Sequence, residues 1–252
     1  MKRLVAGNWK MHETTRAAQR LASSIVASVR ELDIGPNVQV AIAPPFTALA
    51  AVGAALAGSP VLLGAQNMHW EDDGAFTGEI SAPMLIDLGV RCVILGHSER
   101  RRYFGESDAY VNAKLRAALA HGLLAIVAVG ETNEEHDAGI AGERVVAQTR
   151  AAFDGIARER LPEVAIAYEP IWAIGSGRNC DPDEAERVMS TIRSSMPGLE
   201  GSPILYGGSI KPENFGAYLA LPNCNGGLIG GASLDAGAFA ELVRLARDTA
   251  PG

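Results

Sequence analysis

The chain has 252 residues, of which 48% are hydrophobic and 20% charged, and this composition supports one large buried core. Its formal net charge of −7 excludes general binding to nucleic acid, because no block of Lys and Arg residues offsets the repulsion from a phosphate backbone. A small anion is still an acceptable ligand, since a local site can supply cations or backbone N–H groups.

The sequence predicts neither export nor insertion into a membrane. Two basic residues near the N-terminus are not followed by the apolar stretch of a secretory signal. The longest apolar runs, such as residues 123–129, are far shorter than the ~20 residues that span a bilayer. Cys92, Cys180 and Cys224 lack the spacing of a disulfide framework or a zinc site. We expect a cytoplasmic protein without a metal, with Cys180 and Cys224 exposed.

Short apolar runs recur at even intervals along the chain and read as strands. They contain mostly Val, Ile, Leu and Ala, and they are almost continuously apolar, which is typical of parallel strands buried on both faces. The predicted strands cover residues 4–6, 38–43, 61–65, 92–95, 123–129, 164–168, 204–206 and 227–229.

Segments with helical periodicity lie between these runs. One apolar face is formed by Leu21, Ile25 and Val29, and another, over a longer span, by Val146, Phe153 and Ile156. Three helix starts are indicated by a residue that precedes a first-turn proline: Asp181 before Pro182, Ser81 before Pro83, and Lys211 before Pro212.

Eight strand–helix units of about 31 residues each predict a single (β/α)8 barrel that covers residues 1–252 as one domain. A doubly wound sheet is disfavoured, because no Gly-x-Gly-x-x-Gly follows the first strand, and a P-loop motif is absent from the sequence. In a barrel of this kind, functional residues belong at the carboxyl ends of the strands.

The predicted strand ends carry a set of residues with a shared chemical purpose. They are Asn8, Lys10, His97, Glu99, Glu169, Ser209, Gly230 and Gly231. Each residue alone has an ordinary explanation: a loop histidine, a surface lysine or a turn glycine. Their coincidence on one rim favours a catalytic site.

Among these residues, Glu169 is the one whose position is least well explained by a purely structural role. It lies between a buried strand and the apolar run Pro170-Ile171-Trp172. An apolar loop excludes water, and desolvation raises the affinity of a carboxylate for protons. We therefore predict that Glu169 is a general base, in preference to a partner in a salt bridge.

His97 stands where the fourth strand ends and a helix begins. The partial positive charge of a helix N-terminus disfavours imidazolium, so a neutral imidazole that donates a hydrogen bond is expected. A histidine that only caps the helix is an equally good explanation of this segment alone.

Lys10 and Asn8 would supply a fixed positive charge and a neutral donor to an anionic substrate. Ser209, Gly230 and Gly231 follow the seventh and eighth strands, where barrels build phosphate sites from backbone N–H groups. These residues predict a phosphorylated substrate.

Seven segments spread over the chain form a more specific set. They read Gly7-Asn8-Trp9-Lys10-Met11, Ala43-Pro44-Pro45-Phe46-Thr47, Gly74-Ala75-Phe76-Thr77-Gly78-Glu79, Gly96-His97-Ser98-Glu99-Arg100-Arg101, Ala167-Tyr168-Glu169-Pro170-Ile171-Trp172-Ala173-Ile174-Gly175, Tyr206-Gly207-Gly208-Ser209 and Gly230-Gly231-Ala232-Ser233-Leu234. On these segments the chain resembles the triosephosphate isomerase family, whose fold is the TIM barrel.

The resemblance implies the interconversion of dihydroxyacetone phosphate and glyceraldehyde 3-phosphate through an enediolate, without a metal or organic cofactor. It implies that Glu169 moves the proton between two carbons while neutral His97 serves the two oxygens. Lys10 and Asn8 would bind the substrate, and Glu99 would support them. Phosphate contacts would come from the backbone N–H groups of Gly175, Ser209, Gly230 and Gly231.

The resemblance also implies a lid over residues 170–177 and a homodimer. Residues 66–79 would form the dimer loop, with Thr77 reaching towards Asn8 and Lys10 of the neighbouring subunit. The chain departs from the family pattern at Arg178-Asn179-Cys180, where Lys-Thr-Ala is common, and this second hinge puts the kinetics of the lid in question.

Two other functions compete with this hypothesis. A related aldose–ketose isomerase for a four-carbon sugar phosphate would use the same base and lid. A non-catalytic barrel that binds phosphate or a protein partner would be expected to lack at least one of Lys10, His97 and Glu169, and all three are present.

Overall fold

The computed structural model describes residues 1–174 and 179–250. Within these ranges, eight parallel strands form a closed barrel in chain order, and the eighth strand pairs with the first. The strands are β1 (Arg3–Asn8), β2 (Val38–Ala43), β3 (Val61–Ala65), β4 (Cys92–Leu95), β5 (Leu124–Val129), β6 (Val164–Tyr168), β7 (Ile204–Tyr206) and β8 (Gly226–Ile229). The predicted (β/α)8 barrel is confirmed, with strand bounds that differ from the prediction by two residues at most.

Helices surround the barrel. The α-helices in the described residues are α1 (Thr15–Leu32), α2 (Leu49–Leu56), α3 (Ala82–Asp87), α4 (Ser98–Phe104), α5 (Asp108–Ala120), α6 (Asn133–Asp137), α7 (Ala141–Ala152), α8 (Pro182–Ser194), α9 (Pro212–Leu219) and α10 (Ala236–Asp248). Short 3₁₀ helices cover Phe46–Ala48, Arg158–Glu163, Ile171–Ala173, Leu199–Gly201 and Gly231–Leu234.

The strands are apolar on both faces because two separate cores meet on them. Leu4 of β1 points into the barrel, while the next residue, Val5, packs in the layer between barrel and helices. The interior is filled largely by small and branched side chains: Leu4, Ala6, Ala41, Ala43, Cys92, Ile94, Ile126, Ala128, Ala165, Ala167, Leu205 and Leu228. The barrel is therefore a packed core, and open space is left at its ends.

The predicted helix starts agree with the structure. Asp181 precedes α8, and its side chain accepts a hydrogen bond from the backbone N–H of Asp183 at 2.9 Å. Lys211 precedes α9, and its N–H donates to Oδ1 of Asn214 at 2.8 Å. Ser81 precedes α3, although its hydroxyl makes no capping hydrogen bond. These local signals act over three or four residues.

The predicted helical face at Val146, Phe153 and Ile156 is wrong. The helix α7 ends at Ala152, so Phe153 is its C-cap and Ile156 lies beyond it. The chain turns at Gly155, where φ is +65°. Phe153 and Ile156 still pack against the core, Ile156 only partly buried, so their apolar character reflects tertiary packing and not one helical stripe.

Cys180 and Cys224 are buried, which corrects the expectation that they are exposed. Both are free thiols, as is Cys92. Burial raises the pKa of Cys180 to about 12 and also raises the pKa of Cys224. A thiol that resists ionisation is a poor nucleophile.

None of the helices in residues 1–174 and 179–250 has the length and apolar character needed to cross a membrane.

Candidate active site

A cavity of about 580 Å³ opens at the carboxyl ends of the strands. Of the predicted site residues, it brings together Asn8, Lys10, His97, Glu169, Ser209, Gly230 and Gly231. Glu99 and Thr77 do not line it, and Gly175 lies outside the described residues. Seven of the eight strand-end residues named from the sequence therefore lie around one cavity, and Glu99 is the exception.

Glu169 and His97 form a buried pair at the floor of this cavity. Their relative exposures are 2% and 5%, and His97 Nε2 lies 2.9 Å from Glu169 Oε1. The second carboxylate oxygen, Oε2, accepts the backbone N–H of Ser98 at 2.8 Å. Each oxygen of the proposed base thus has a donor within hydrogen-bond distance.

The pairing shifts both pKa values away from the direction that burial alone would produce. Burial raises the pKa of Glu169, but His97 and the Ser98 N–H outweigh it and lower that pKa. Burial lowers the pKa of His97, but the Glu169 carboxylate outweighs it and raises that pKa. The increased proton affinity expected for Glu169 is therefore absent while the two side chains are in contact.

The helix α4 positions His97. The residue is the N-cap of α4, and its Nδ1 accepts the backbone N–H of Glu99 at 3.3 Å. Because Nδ1 is an acceptor there, the proton of the neutral ring lies on Nε2 and points to Glu169. The capping role and the predicted donor role are compatible, since each uses a different ring nitrogen.

Lys10 is held by contacts from three directions. Its backbone lies in the left-handed region, with φ of +50°, and its N–H donates to Oδ1 of Asn8 at 3.0 Å. The amide of Gln66 donates to the carbonyl of Lys10 at 2.8 Å. The ammonium pairs with Oε1 of Glu99 at 2.7 Å, which explains how Glu99 influences a cavity that it does not line.

Glycines let the backbone after β7 and β8 form the opposite wall. A Cβ on Gly207 would lie 3.0 Å from Cγ of Glu169, and one on Gly208 would lie 2.3 Å from the hydroxyl of Tyr206. After β8, the buried Ser233 donates its hydroxyl to the carbonyl of Gly230 at 2.6 Å, which fixes the 3₁₀ turn Gly231–Leu234. Small residues thus bring backbone close to the cavity.

The segment that follows Glu169 is anchored by a buried carboxylate that the sequence did not reveal. Trp172 donates Nε1–H to Oε1 of Glu131 at 2.7 Å, and Tyr168 donates its hydroxyl to the same oxygen at 3.0 Å. Trp172 also stacks on His136, with ring centroids 4.2 Å apart. The start of the predicted lid is thus held by side-chain contacts to Glu131 and His136. Residues 175–177 of the predicted lid lie outside the described residues.

Gln66 and Glu131 are the functional candidates that sequence reasoning missed. Gln66 marked only the start of the predicted dimer loop, and Glu131 follows β5 by two residues, a position that the strand-end rule could have singled out. Among the described residues, no three His, Cys, Asp or Glu side chains are placed to hold a metal ion.

Comparison with known proteins gives one consistent family. The family model described as "Triosephosphate isomerase" matches residues 3–246. A triosephosphate isomerase from Chloroflexus aurantiacus is 51% identical over 95% of this chain and 97% of its own length. One from Symbiobacterium thermophilum is 49% identical over 97% of both chains. The crystal structure of triosephosphate isomerase from Bartonella henselae, 37% identical, has a TM-score of 0.85 over 98% of this chain and all of its own.

Proposed function

The chain belongs to the triosephosphate isomerase family, and on that premise we propose that it interconverts dihydroxyacetone phosphate and D-glyceraldehyde 3-phosphate through an enediolate. The observation that carries the proposal is the buried contact between Glu169 and His97 inside one cavity with Lys10. The cavity volume of about 580 Å³ accommodates a small phosphorylated sugar. We take residues 1–252 to act as one domain.

Glu169 is the base in this proposal. It removes a proton from the carbon beside the substrate carbonyl and returns it to the neighbouring carbon. His97 donates its Nε2–H to the substrate oxygens, and Lys10 and Asn8 stabilise the negative charge of the enediolate. Each of these side chains lines the same cavity, as the reaction requires.

Substrate entry would change the proton affinity of both partners in the direction that catalysis needs. A substrate placed between Glu169 and His97 removes the His97 contact that lowers the carboxyl pKa, so the effect of burial, which raises that pKa, gains weight against the remaining Ser98 N–H contact. The same separation removes the carboxylate that raises the pKa of His97, while burial and the Glu99 N–H remain. The base becomes stronger and the histidine neutral.

The phosphate would be held by backbone N–H groups of Ser209, Gly230 and Gly231, together with Gly175, which lies outside the described residues. Residues 170–177 would close over the substrate and exclude water, which protects the enediolate from losing its phosphate. The anchoring of Trp172 by Glu131 supports a fixed point at the start of this lid.

A paired assay with glyceraldehyde 3-phosphate and a tetrulose phosphate tests the substrate. We expect the triose to give the higher kcat/KM, and negligible turnover of the triose would reject the proposal in favour of the four-carbon alternative. Glu169→Asp, which draws the carboxylate back by one methylene, should lower kcat by about 10²-fold or more with a smaller change in KM. Equal activity in that variant would favour a non-catalytic barrel.

We also propose a homodimer. The loops after β1 to β4 are neighbours in the barrel, and each carries large apolar side chains at the surface: Met11, Phe46, Phe76, Tyr103 and Phe104. Met11 is 95% exposed and Phe104 is 69% exposed. A second copy would cover this face, with Thr77 reaching its Asn8 and Lys10.

The three free cysteines support a cytoplasmic location, since thiols persist in a reducing compartment.

A further inference from the structure

A histidine packs against the segment that follows Glu169, and the proposed reaction gives it no role. His136 lies in the short helix α6, and its ring stacks on the indole of Trp172 with centroids 4.2 Å apart and planes inclined by 26°. Trp172 belongs to the 3₁₀ turn Ile171–Ala173, which comes directly after Glu169 and Pro170. The contact therefore joins a titratable group to the start of the predicted lid.

The backbone that carries His136 is fixed by local hydrogen bonds. Thr132 is the N-cap of α6, and its hydroxyl accepts the N–H of Glu135 at 3.2 Å. Its own N–H donates to Oε2 of Glu135 at 2.9 Å. This reciprocal capping box satisfies two donors at the start of the helix. His136 follows directly, so its ring meets Trp172 from a defined position.

Trp172 is held on two sides by groups of different chemistry. Its Nε1–H donates to Oε1 of Glu131 at 2.7 Å, and the imidazole of His136 covers one face of the indole. Burial raises the pKa of Glu131, and a protonated His136 acts against that rise. A positive charge on His136 is therefore attracted to the indole face and also to the carboxylate that the indole binds.

The His136 ring can exchange protons with solvent. Its side chain is 21% exposed and borders a cavity of about 290 Å³ beside α7 and α8. Its Nδ1 lies 3.6 Å from Oε1 of Glu184, close enough for an ion pair when the ring is protonated.

The charged groups around His136 are mostly carboxylates. Those that face it from other elements are Glu131 after β5, Glu143 on α7, and Glu184 and Arg187 on α8. The helix α6 itself adds Glu134, Glu135 and Asp137. A positive ring thus meets more negative than positive charge.

We propose that His136 is a positioning residue that holds Trp172, and that it holds Trp172 more tightly when its ring is protonated. The neutral ring contributes stacking alone. The imidazolium adds attraction to the indole face, since a cation within about 6 Å of a tryptophan ring centroid is stabilised there. A histidine changes charge between about pH 5 and pH 8, so the strength of the contact varies over that range.

The consequence for turnover rests on the proposed function, in which residues 170–177 close over the substrate. A first turn that is already held loses less conformational freedom when the segment closes. Protonated His136 therefore favours closure. Compared with a variant that cannot be protonated at this position, the wild type should gain in kcat/KM as the pH falls.

Incorporation of 5-fluorotryptophan into the full chain tests the contact by ¹⁹F NMR. The chain has three tryptophans, and the Trp172 resonance is the one that is lost in Trp172→Phe. We expect this resonance to shift between about pH 8 and about pH 5.5 in the wild type. His136→Phe keeps a ring on the indole without a titrating charge, and His136→Gln removes ring and charge. Both should remove the shift.

The matched control is His121→Phe, the same change at a histidine that contacts Asp72 and does not line the cavity beside α6. It should keep the pH-dependent shift of the Trp172 resonance. A shift that persists in both His136 variants would assign the titration to Glu131. The absence of a shift in the wild type would show that charge on His136 does not act on Trp172. Either result overturns the proposal.

Steady-state kinetics over the same pH range test the effect on turnover. The ratio of kcat/KM in the wild type to kcat/KM in His136→Phe should rise about two- to fivefold as the pH falls, as expected of one cation–π contact. A constant ratio would reject the role in turnover, whereas the NMR titration decides the contact independently. A wild type without isomerase activity would instead reject the proposed function and would not alter the NMR result.

Discussion

At the scale of single residues, the contact between Glu169 and His97 sets how stability depends on pH. The folded pKa of His97 is raised above its ordinary value of 6.5 by the carboxylate. A raised pKa means that the folded state binds more protons than the unfolded state above pH 6.5. The contribution of His97 is therefore complete below pH 6.5 and is lost as pH rises through its folded pKa. The contribution of Glu169, whose folded pKa is lowered, is complete above pH 4.5 and is lost as pH falls through that folded pKa.

Replacing His97 tests both the linkage and the chemistry. In His97→Gln, the free energy of unfolding should fall less between pH 6.5 and pH 9 than in the wild type, because the shifted group is gone. The kcat should fall by about 10²- to 10⁴-fold, the range typical of a lost acid–base group. Urea unfolding at several pH values and steady-state kinetics give the two readouts. His121→Gln, which lies outside the catalytic cavity and removes only a 2.7 Å contact with Asp72, should keep the kcat of the wild type. A pH profile of stability in His97→Gln that is parallel to that of the wild type would contradict the linkage.

The proposed catalytic residues could be predicted because each follows a recognisable strand. The residues that hold them in place through hydrogen bonds could not be predicted. Gln66 reaches the Lys10 carbonyl from β3's end, a contact across 56 residues. Glu131 accepts from Tyr168 and Trp172, about forty residues later in the chain. Neither contact leaves a local pattern, because hydrogen bonds between distant segments exist only after the barrel closes.

At the scale of elements, the ends of β5 and β6 touch so closely that only glycine fits between them. A Cβ on Gly130 would lie 1.8 Å from the carbonyl oxygen of Glu169, which is far inside any van der Waals contact. The N–H of Gly130 also donates to Gln148 of α7 at 2.7 Å. The backbone that carries the proposed base is therefore fixed by its neighbour strand.

Gly130→Ala should displace the backbone of Glu169. We expect kcat to fall by at least about 10²-fold, since a shift of about 1 Å at the base is costly, and the thermal unfolding midpoint to fall as well. The matched control is Gly142→Ala in α7, where the nearest atom to the new Cβ is 3.7 Å away. That change should stabilise the protein by about 0.5–1 kcal/mol or leave it unaltered. Wild-type kinetics in Gly130→Ala would show that β6 adjusts without consequence.

Helix starts were predictable at this scale, and one helix end was not. The cap at Asp181 depends on residues two or three positions away, so the local amino-acid sequence is enough to predict where α8 begins. The end of α7 depends on how Phe153 enters the core, which requires the strands beneath it. Capping by nearby residues thus determines where α8 begins, whereas tertiary packing determines where α7 ends.

At the scale of the whole molecule, the proposed dimer should be needed for full activity. Thr77 is exposed on the segment 66–79, and a second copy would bury it. Thr77→Arg places a long charged side chain in that contact and should shift the protein to monomers in sedimentation experiments. We expect kcat/KM to fall by about tenfold or more, because Lys10 and Asn8 lose the neighbouring loop.

The control for this experiment is Ser190→Arg, a matched change at an exposed position on α8. It should leave both sedimentation and turnover unchanged. A monomeric wild type would contradict the dimer proposal, and a dimeric Thr77→Arg variant would show that residues 66–79 are not the contact. Either result leaves the proposed chemistry of Glu169 to be judged by its own variants.

The sequence by itself determined the eight strands, their parallel arrangement and the residues at their ends. Each of these features shows in a short run of consecutive residues: a continuously apolar stretch for a strand buried on both faces, and the polar or glycine residues directly after it. Only the tertiary structure decided the protonation balance of Glu169 and His97, since their 2.9 Å contact joins β4's end to β6's end. It also decided the burial of Cys180, which packs in the core shared by distant segments of the chain. Electrostatic effects depend on the distance between charged groups in space. The order of residues along the chain does not give that distance, because only folding sets it.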